Sequence, residues 1–335
     1  NGLVIFFGLI IIRYFFLNAT DRIEEVDPAL AGFLGGANLP IIFSWAVGGF
    51  FAGGVAFVIG KVALGLRSDY LAIVTLGISE IVVSVLKHEE WLSRGVKNVI
   101  GLKRPVPYEI NLQTSDWFIN MVTWFNSSTL NDIIDLDQKQ EILTNLVIDS
   151  SSLFVKLNYA VLFFIVMVVI YYFANKAQVS PWGRMMRAIR DNEVSANAMG
   201  KDIVKQHLII FVIGAAIVGV AGAMLVTLDG LFTPSGYRPL RFTFIIWIMV
   251  IVGGSGNNLG AIFGGFVIWF AWIEVAPLTT FLINLFTSGL DPQNAIRLHL
   301  LDSVPYFRYL LMGMVLLLIL RYRPRGIIPE KVRHS

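Results

Sequence analysis

The stretch "LFVKLNYAVLFFIVMVVIYYFA", residues 153–174, decides the class of fold. It is 22 residues long and carries one charged side chain, Lys156. A helix of this length rises about 33 Å, which is enough to cross the hydrocarbon core of a bilayer. The stretch therefore predicts a membrane-spanning helix.

Apolar runs of this kind recur along all 335 residues, so they are not one signal peptide ahead of a soluble domain. The chain is 56% hydrophobic and 15% charged, whereas soluble domains are about 45–50% apolar and about 25% charged. We predict an all-α, polytopic helical membrane protein with about eight spans in one membrane domain, residues 1–335. The clear candidate spans are residues 1–17, 41–60, 70–88, 153–174, 207–228 and 306–320.

Two shorter apolar runs, 242–252 and 261–276, flank the sequence "GGSGNNLG" at 253–260. The first run would cover only about 16 Å as a helix, about half of the hydrocarbon core. Either polar flanks extend both runs into full spans, or the two form a broken, re-entrant pair.

Lys and Arg in short connections predict the orientation of a membrane protein. The connections 61–69, 176–206 and 321–335 carry two, six and five of them, whereas the short connections 18–40, 229–240 and 276–305 carry one each. With eight spans, all basic-rich connections fall on one side. We therefore expect the C-terminus and the 176–206 connection to be cytoplasmic.

Composition also argues against several kinds of site. Cysteine is absent, and the four His lie on different segments, so neither a metal site nor a catalytic residue is predicted. The nucleotide-binding pattern GxxxxGK[ST] is absent as well. The chain begins with Asn1 rather than Met, and we expect an N-terminal part to be missing.

Residues 89–150 form a long polar segment that we expect to be an extracytoplasmic insertion. It contains nine acidic residues, five basic residues and three Trp. Part of it, near 130–148, has a helical pattern. It is either a packed cap over the outer mouth or a ligand site.

Small residues are spaced four apart in several spans. Gly49 with Gly53 and Gly260 with Gly264 form GxxxG pairs, and Gly219 lies between Ala215 and Ala223. Such spacing lets helix backbones approach closely in lipid. We expect these glycines to pack helices within the bundle.

Glu80 lies near the middle of the 70–88 span, with Thr75 and Ser79 on nearby turns. A charged group at this depth is costly and usually faces a cavity or a partner. Glu80 therefore either lines a translocation path together with Thr75 and Ser79, where it would meet a cationic group in transit, or pairs with a basic residue of another span. Asp229 and Arg238, near the outer surface, are best interpreted as surface residues.

The connection 176–206 contains the charged stretch "RMMRAIRDNEVSANAMG", residues 184–200. Ser180-Pro181 is a helix start signal and Gly200 is a stop signal. Charges occupy more than one helical face, so spacing alone leaves two interpretations: a solvated connector, or a docking element for another protein.

The residues of this connection resemble a known family. The stretch "GRMMRAIRDNEVSANAMGKDIVKQHLIIFVIGAAIVGVAGAML" is similar to the cytoplasmic loop and following helix of LivM-type permeases of branched-chain amino acid ABC transporters. Further matches occur in family order: "LGLRSDYLAIVTLGISEIV" at 64–82, "VGGSGNNLGAIFGG" at 252–265 and "RYRPRGIIPEK" at 321–331. The chain is identified as a member of this family.

The resemblance implies that the chain works in the bacterial inner membrane with a second, LivH-like permease, two cytosolic ATPase subunits and a periplasmic amino-acid-binding protein. ATP and Mg²⁺ would bind to the ATPases, so this chain would have no cofactor, no catalytic role and no nucleic-acid partner. The 176–206 connection would be the coupling loop. Its implied contact residues are Arg187, Ala188, Ile189, Arg190, Asp191, Asn192, Glu193, Ala196 and Gly200.

The sequence also departs from the family. The family's glycine-rich opening segment is absent, and its "TGGPNGI" motif is replaced by "SRGVKNVIG" at 93–101. The resemblance predicts a branched-chain amino acid importer. The alternatives are an ABC permease for urea or short amides and, from another class, an ion-coupled secondary transporter with Glu80 as its coupling carboxylate.

Overall fold

The computed structural model describes residues 10, 14, 40–65, 68–89, 98–100, 102–131, 135–289, 291 and 293–330. The predicted span 1–17 lies outside this part of the chain, except for two helical positions, Ile10 and Tyr14. The helices are α1 (Ile41–Ala63), α2 (Ser68–His88), α3 (Glu109–Gln113), α4 (Asp116–Phe125), α5 (Ser127–Asn131), α6 (Leu136–Val179), α7 (Pro181–Asp191), α8 (Glu193–Ala198), α9 (Ile203–Asp229), α10 (Pro239–Gly253), α11 (Asn258–Phe286), α12 (Ala295–Asp302) and α13 (Val304–Tyr322). The strands are β1 (Val99–Ile100) and β2 (Leu231–Phe232).

The predicted all-α, multi-pass membrane class is confirmed. Six helices of the described ranges, α1, α2, α6, α9, α11 and α13, are long and apolar enough to span a bilayer. Of the two short runs, 261–276 belongs to the 29-residue α11 and 242–252 to the 15-residue α10. The helix α10 is shorter than a full span, because it begins at Pro239 and ends before Gly254, whose φ of 122° is incompatible with a helix. The count of eight also includes residues 1–17, which lie outside the described part of the chain, so it stays an approximate prediction.

The chain divides into two compact units, Asn1–Tyr237 and Arg238–Ser335, and each is described by itself. In the first unit, α1 packs along α9 through small residues. A Cβ on Gly49 would lie 2.9 Å from the Ala216 carbonyl oxygen, and one on Gly219 would lie 2.8 Å from the Gly48 oxygen. The two helices therefore approach each other closely, backbone against backbone.

Hydrogen bonds around Thr227 join α6 to the α1–α9 pair. The buried Trp45 donates its indole N–H to Thr227 Oγ1 at 3.1 Å. The Tyr159 hydroxyl donates to the backbone oxygen of Thr227 at 2.9 Å. Three helices that are distant in sequence thus share one polar contact.

The 44-residue α6 is much longer than a membrane span. Its 19 residues between Lys156 and Lys176 are uncharged and match the hydrocarbon core of about 30 Å. The preceding turns project out of the bilayer and carry a cap of α3, α4 and α5. The helix runs through residue 150 without a break, so the end of the predicted insertion falls inside α6.

The cap has its own apolar core. Phe118 and Val122 of α4 and Leu112 of α3 pack against α6, and Gln113 Nε2 donates to the buried Ser151 Oγ at 2.9 Å. The antiparallel strands β1 and β2 tie the chain before the cap to the end of α9. The cap is therefore a packed structure rather than a loose loop.

In the second unit, α10 and α11 form a helical hairpin, and α13 packs on both. A Cβ on Gly264 would collide with the Met249 carbonyl oxygen, and one on Gly260 would lie 2.7 Å from the Gly253 oxygen. The chain after α13 returns to the hairpin, where the N–H groups of Ile327 and Ile328 each donate to α10 at 2.9 Å.

Candidate functional site

The connection between the spans α6 and α9 is two short helices, α7 and α8, rather than one. Ser180 caps α7 by accepting the N–H of Gly183 at 3.2 Å, and Pro181 follows at the first helical position. Asn192 ends α7 and caps α8 by accepting the N–H of Ser195 at 3.0 Å. The break at Asn192 follows from its side chain, because Asn bonds well to the backbone at a helix start.

Contacts with both neighbouring spans hold the start of the α7–α8 segment, residues 180–200. Trp182 Nε1 donates to Gln206 Oε1 of α9 at 3.0 Å. A Cβ on Gly183 would collide with the Ala177 carbonyl oxygen, so the turn from α6 into α7 requires glycine. Gly200 has φ 75°, the left-handed conformation that ends a helix. The segment is thus held by both neighbouring spans.

Most of the implied contact residues of this segment are exposed, but two are not. Ile189 and Ala196 are buried against the chain, so they hold the two helices in place and cannot form an outer contact surface. The exposed ones are Arg187, Ala188, Arg190, Asp191, Asn192, Glu193 and Gly200.

Two large apolar side chains are also exposed on α7–α8. Val194 and Met199 are each 81% exposed. This is unusual for apolar side chains in a charged connection between two spans. Exposed apolar groups rimmed by charges are typical of protein contact surfaces. The sequence did not single out Val194 or Met199 as exposed contact residues, because their exposure depends on how the segment packs.

The charges of α7 are arranged along its outer surface. Arg190 Nε lies 3.3 Å from Asp191 Oδ1, and both side chains are more than half exposed. Such a surface pair contributes little to stability. Arg187, one turn earlier, is exposed as well. The surface is therefore mixed in charge and open to a partner.

The residues predicted for a translocation path lie on α2, but they do not converge. Thr75 lines a cavity of about 220 Å³ between α1, α2 and α9. Its hydroxyl donates to the Leu71 oxygen at 2.9 Å, and the Ser79 hydroxyl donates to the Leu76 oxygen at 2.7 Å. Glu80 is exposed, and no described basic residue forms an ion pair with it.

At the cap end of the first unit, charges surround the strand pair. Arg104 Nη1 lies 3.2 Å from both carboxylate oxygens of Glu109. Burial raises the pKa of the Tyr237 hydroxyl, and the neighbouring Asp229 carboxylate raises it further. Tyr237 therefore stays neutral. The sequence did not indicate that Asp229 and Tyr237 are neighbours.

Sequence reasoning missed three ionisable residues in the second unit. Arg241 lies in the first turn of α10, Glu274 near the middle of α11, and Arg308 in the second turn of α13. Both arginines lie over the ring of Trp272. The available signal was an ionisable residue within an apolar run, the same signal that singled out Glu80.

Comparison with known proteins agrees with this architecture. The protein family described as "Branched-chain amino acid transport system / permease component" matches residues 6–320. A "Probable branched-chain amino acid transport permease protein LivM" of Methanocaldococcus jannaschii is 31% identical over 162 residues, 48% of this chain and 44% of the relative. The "High-affinity branched-chain amino acid transport system permease protein LivM" of Escherichia coli is 22% identical over 283 residues, 84% of this chain and 56% of the relative.

A Salmonella typhimurium protein with the same description as the Escherichia coli one is 23% identical over 282 residues. The chain spans about half the length of the curated relatives it matches. No solved structure matches it significantly. The family match covers nearly the whole chain, and the spans and the connection between them agree with a membrane transport component. The chain therefore belongs to the family of permease components of branched-chain amino acid transport systems.

Proposed function

We propose that the chain is a membrane permease subunit of an ATP-driven ABC importer for branched-chain amino acids. The observation that carries the proposal is the family match over residues 6–320, together with relatives described as branched-chain amino acid permeases. The substrates are leucine, isoleucine and valine, and a second permease completes the translocation path.

The energy source lies in partner subunits. The sequence has no GxxxxGK[ST] loop, so ATP and Mg²⁺ bind to two cytosolic ATPases. A binding protein delivers the substrate from the opposite side of the membrane. The chain itself moves its substrate without chemical change, as a permease rather than an enzyme.

The α7–α8 segment transmits ATPase closure to the membrane spans. Its supports are the hydrogen bond from Trp182 to Gln206 and the tight turn at Gly183, which attach it to α6 and α9. Its exposed Val194 and Met199 offer apolar contacts, and Arg187 offers a positive charge for an acidic group of the ATPase. A segment attached to both spans moves with them, as alternating access requires.

The excess of basic residues in 176–206 and 321–335 supports an orientation with the α7–α8 segment and the C-terminus in the cytoplasm. The cap on the opposite end of α6 then faces the binding protein. The site of action is the inner membrane of a bacterium.

Uptake by the complete transporter tests the proposal. The full-length protein is reconstituted with its companion permease, ATPases and binding protein, and uptake of labelled leucine and labelled urea is measured with and without ATP. We expect uptake of leucine that requires ATP.

Three other outcomes would contradict the proposal in different ways. ATP-dependent uptake of urea alone would replace the substrate class. Uptake that ignores ATP and follows a proton or sodium gradient would replace the mechanism. Leucine uptake that persists without the ATPases would remove the role of the α7–α8 segment.

A further inference from the structure

Two arginines of the second unit meet at one tryptophan. The Arg241 guanidinium carbon lies 5.1 Å from the centre of the Trp272 ring, and that of Arg308 lies 5.6 Å from it. Trp272 is 5% exposed. Three helices, α10, α11 and α13, thus bring two positive charges to a single aromatic side chain.

This arginine pair, Arg241 and Arg308, lies at the level of the middle of α11. Trp272 is 14 residues from each end of that 29-residue helix, about 21 Å in both directions. Exposed apolar side chains continue along α11 on both sides of this level. They are Leu259, Phe263 and Phe266 towards one end and Leu278, Phe281 and Leu285 towards the other. The arginine pair therefore lies beside the apolar surface of α11, and about 6 Å from the start of the span α13, because Arg308 is in the second turn of that helix.

Both charges lack an anionic partner in the part of the chain that the structure describes. No described carboxylate forms an ion pair with Arg241 or Arg308. The buried Nε atom of each has no hydrogen-bond acceptor there. Glu274, two residues from Trp272, points outward and is exposed. Both arginine residues are half-buried, and ring contacts offset part of the cost of desolvating the cation, but the buried Nε–H group of each still lacks an acceptor among the described residues.

The start of α10 adds to the positive potential. Arg241 lies in its first turn, and no side chain caps this helix. The free N–H groups of a helix start carry partial positive charge and favour an anion. Two guanidinium groups and a helix start together favour a negative group from outside the unit.

Among anions, a carboxylate of a small molecule fits best. A carboxylate matches the fork of an Arg side chain and can accept two hydrogen bonds from it. The apolar surroundings suit an aliphatic side chain on the same molecule.

We propose that Arg241 and Arg308 form a carboxylate-binding site of the translocation path, which holds the carboxylate of an amino acid in transit. The proposal rests on the proposed function and deepens it, because it names the part of the substrate that this chain recognises. Trp272 holds the two guanidinium groups in place between passages of substrate.

Thermal unfolding of the purified full-length protein in detergent tests the site directly. The probes are leucine, 4-methylpentanoate, which lacks the ammonium, and leucinol, which lacks the carboxylate. Each is used up to about 10 mM, where even a millimolar site is mostly filled. We expect leucine and 4-methylpentanoate to raise the unfolding midpoint and leucinol to leave it unchanged.

Variants then assign the binding to the arginine pair. Arg241→Gln and Arg308→Gln should each weaken the binding of 4-methylpentanoate about tenfold or more, the loss expected for a hydrogen bond to a charged group. Arg241→Lys should bind with intermediate affinity, because it keeps the charge and loses the fork. Arg238→Gln is the matched control, since this exposed arginine is one turn away from Arg241.

Several results would overturn the inference. No shift with 4-methylpentanoate in the unaltered protein, or a shift that leucinol reproduces, removes the carboxylate site even if a variant fails to fold. A shift with phosphatidylglycerol alone replaces the substrate with a lipid. If both glutamine variants keep full ATP-driven leucine uptake, the carboxylate site is wrong and the proposed function still holds. If the unaltered complex takes up no branched-chain amino acid, the proposed function itself is wrong.

Discussion

At the scale of single residues, neighbouring glycines of α11 differ completely in what surrounds them. A Cβ on Gly264 would collide with the Met249 oxygen and lie 2.7 Å from the Gly253 nitrogen. A Cβ on Gly265 would meet nothing within 4 Å. The two positions share their local sequence and their helix, so only the packing of α10 on α11 separates them.

Gly264→Ala should therefore destabilise the second unit, and Gly265→Ala should not. The added methyl group forces α10 and α11 apart, and overpacking of this kind costs about 1–3 kcal/mol. Thermal unfolding in detergent measures both variants. Equal midpoints for the two would contradict the close hairpin, since alanine is otherwise favourable in a helix.

A second residue-scale prediction concerns Thr227. Thr227→Val keeps the shape of the side chain but removes the acceptor for the Trp45 indole N–H. A buried donor without a partner costs about 1–3 kcal/mol, so the free energy of unfolding should fall by that amount.

The matched control for Thr227→Val is a double variant. Trp45→Phe with Thr227→Val removes the donor and the acceptor together, so no polar group is left unsatisfied and no extra loss from an unpaired N–H is expected. If the indole hydrogen bond contributes nothing, the changes in the free energy of unfolding caused by the two single substitutions will add up to that of the double variant.

At the scale of elements, the α7–α8 segment combines firm anchoring with an exposed outer surface. Ile189 and Ala196 are buried, whereas Val194 and Met199 are exposed. The turn after α8 depends on Gly200, which has a φ of 75°. Proline cannot adopt this conformation, because its ring fixes φ near −65°.

Gly200→Pro should leave the protein in the membrane but uncouple ATP hydrolysis from uptake, because the turn that joins α8 to α9 is lost. Arg190→Glu should act in the same direction by reversing a charge on the outer surface of α7. Gly200→Asn is the control, since asparagine tolerates the left-handed conformation. The measurement compares ATPase activity with leucine uptake in proteoliposomes, and unchanged uptake in both altered proteins would contradict the coupling role.

At the scale of the whole molecule, α6 sets the arrangement of the first unit. It is 44 residues long, about 66 Å, with the cap at its start and the α7–α8 segment after its end. A bilayer core of about 30 Å fits only its uncharged part. The cap and the α7–α8 segment must therefore lie on opposite sides of the membrane.

Cysteine labelling tests this arrangement cleanly, because the chain has no cysteine of its own. Ser128→Cys in α5 and Ser195→Cys in α8 each place a thiol at an exposed position. A membrane-impermeant maleimide should label Ser128→Cys in intact cells and Ser195→Cys only after permeabilisation. Labelling of both from one side would contradict the crossing by α6, whereas the reverse pattern would contradict only the orientation.

Local signals in the sequence were informative about where helices begin and end. Ser180-Pro181 stands at the start of α7 and Gly200 follows the end of α8, because capping and left-handed turns depend on neighbouring residues. The length of α10 and α11 was not predictable in the same way. Their apolar runs are similar, but their ends depend on Pro239, on the turn at Gly254 and on polar flanks.

The candidate sites were predictable only in part. Thr75, Ser79 and Glu80 stand out in the sequence as polar residues in an apolar run, yet they do not converge on one site. The family resemblance implied that Ala196 is a contact residue of the coupling loop, although packing buries it. A side chain's type is local information, whereas its exposure depends on helices far away in the sequence.

The sequence by itself determined that this protein is an all-α, multi-pass membrane permease of its family. The reason is that backbone N–H and C=O groups in lipid must form hydrogen bonds within each helix, so an apolar run of spanning length folds as a membrane-spanning helix. Only the tertiary structure decided which glycines touch a neighbouring helix and that Arg241, Trp272 and Arg308 meet. The contacts of Arg241 and Arg308 with Trp272 join residues more than 30 positions apart, where no local pattern records the packing that brings them together.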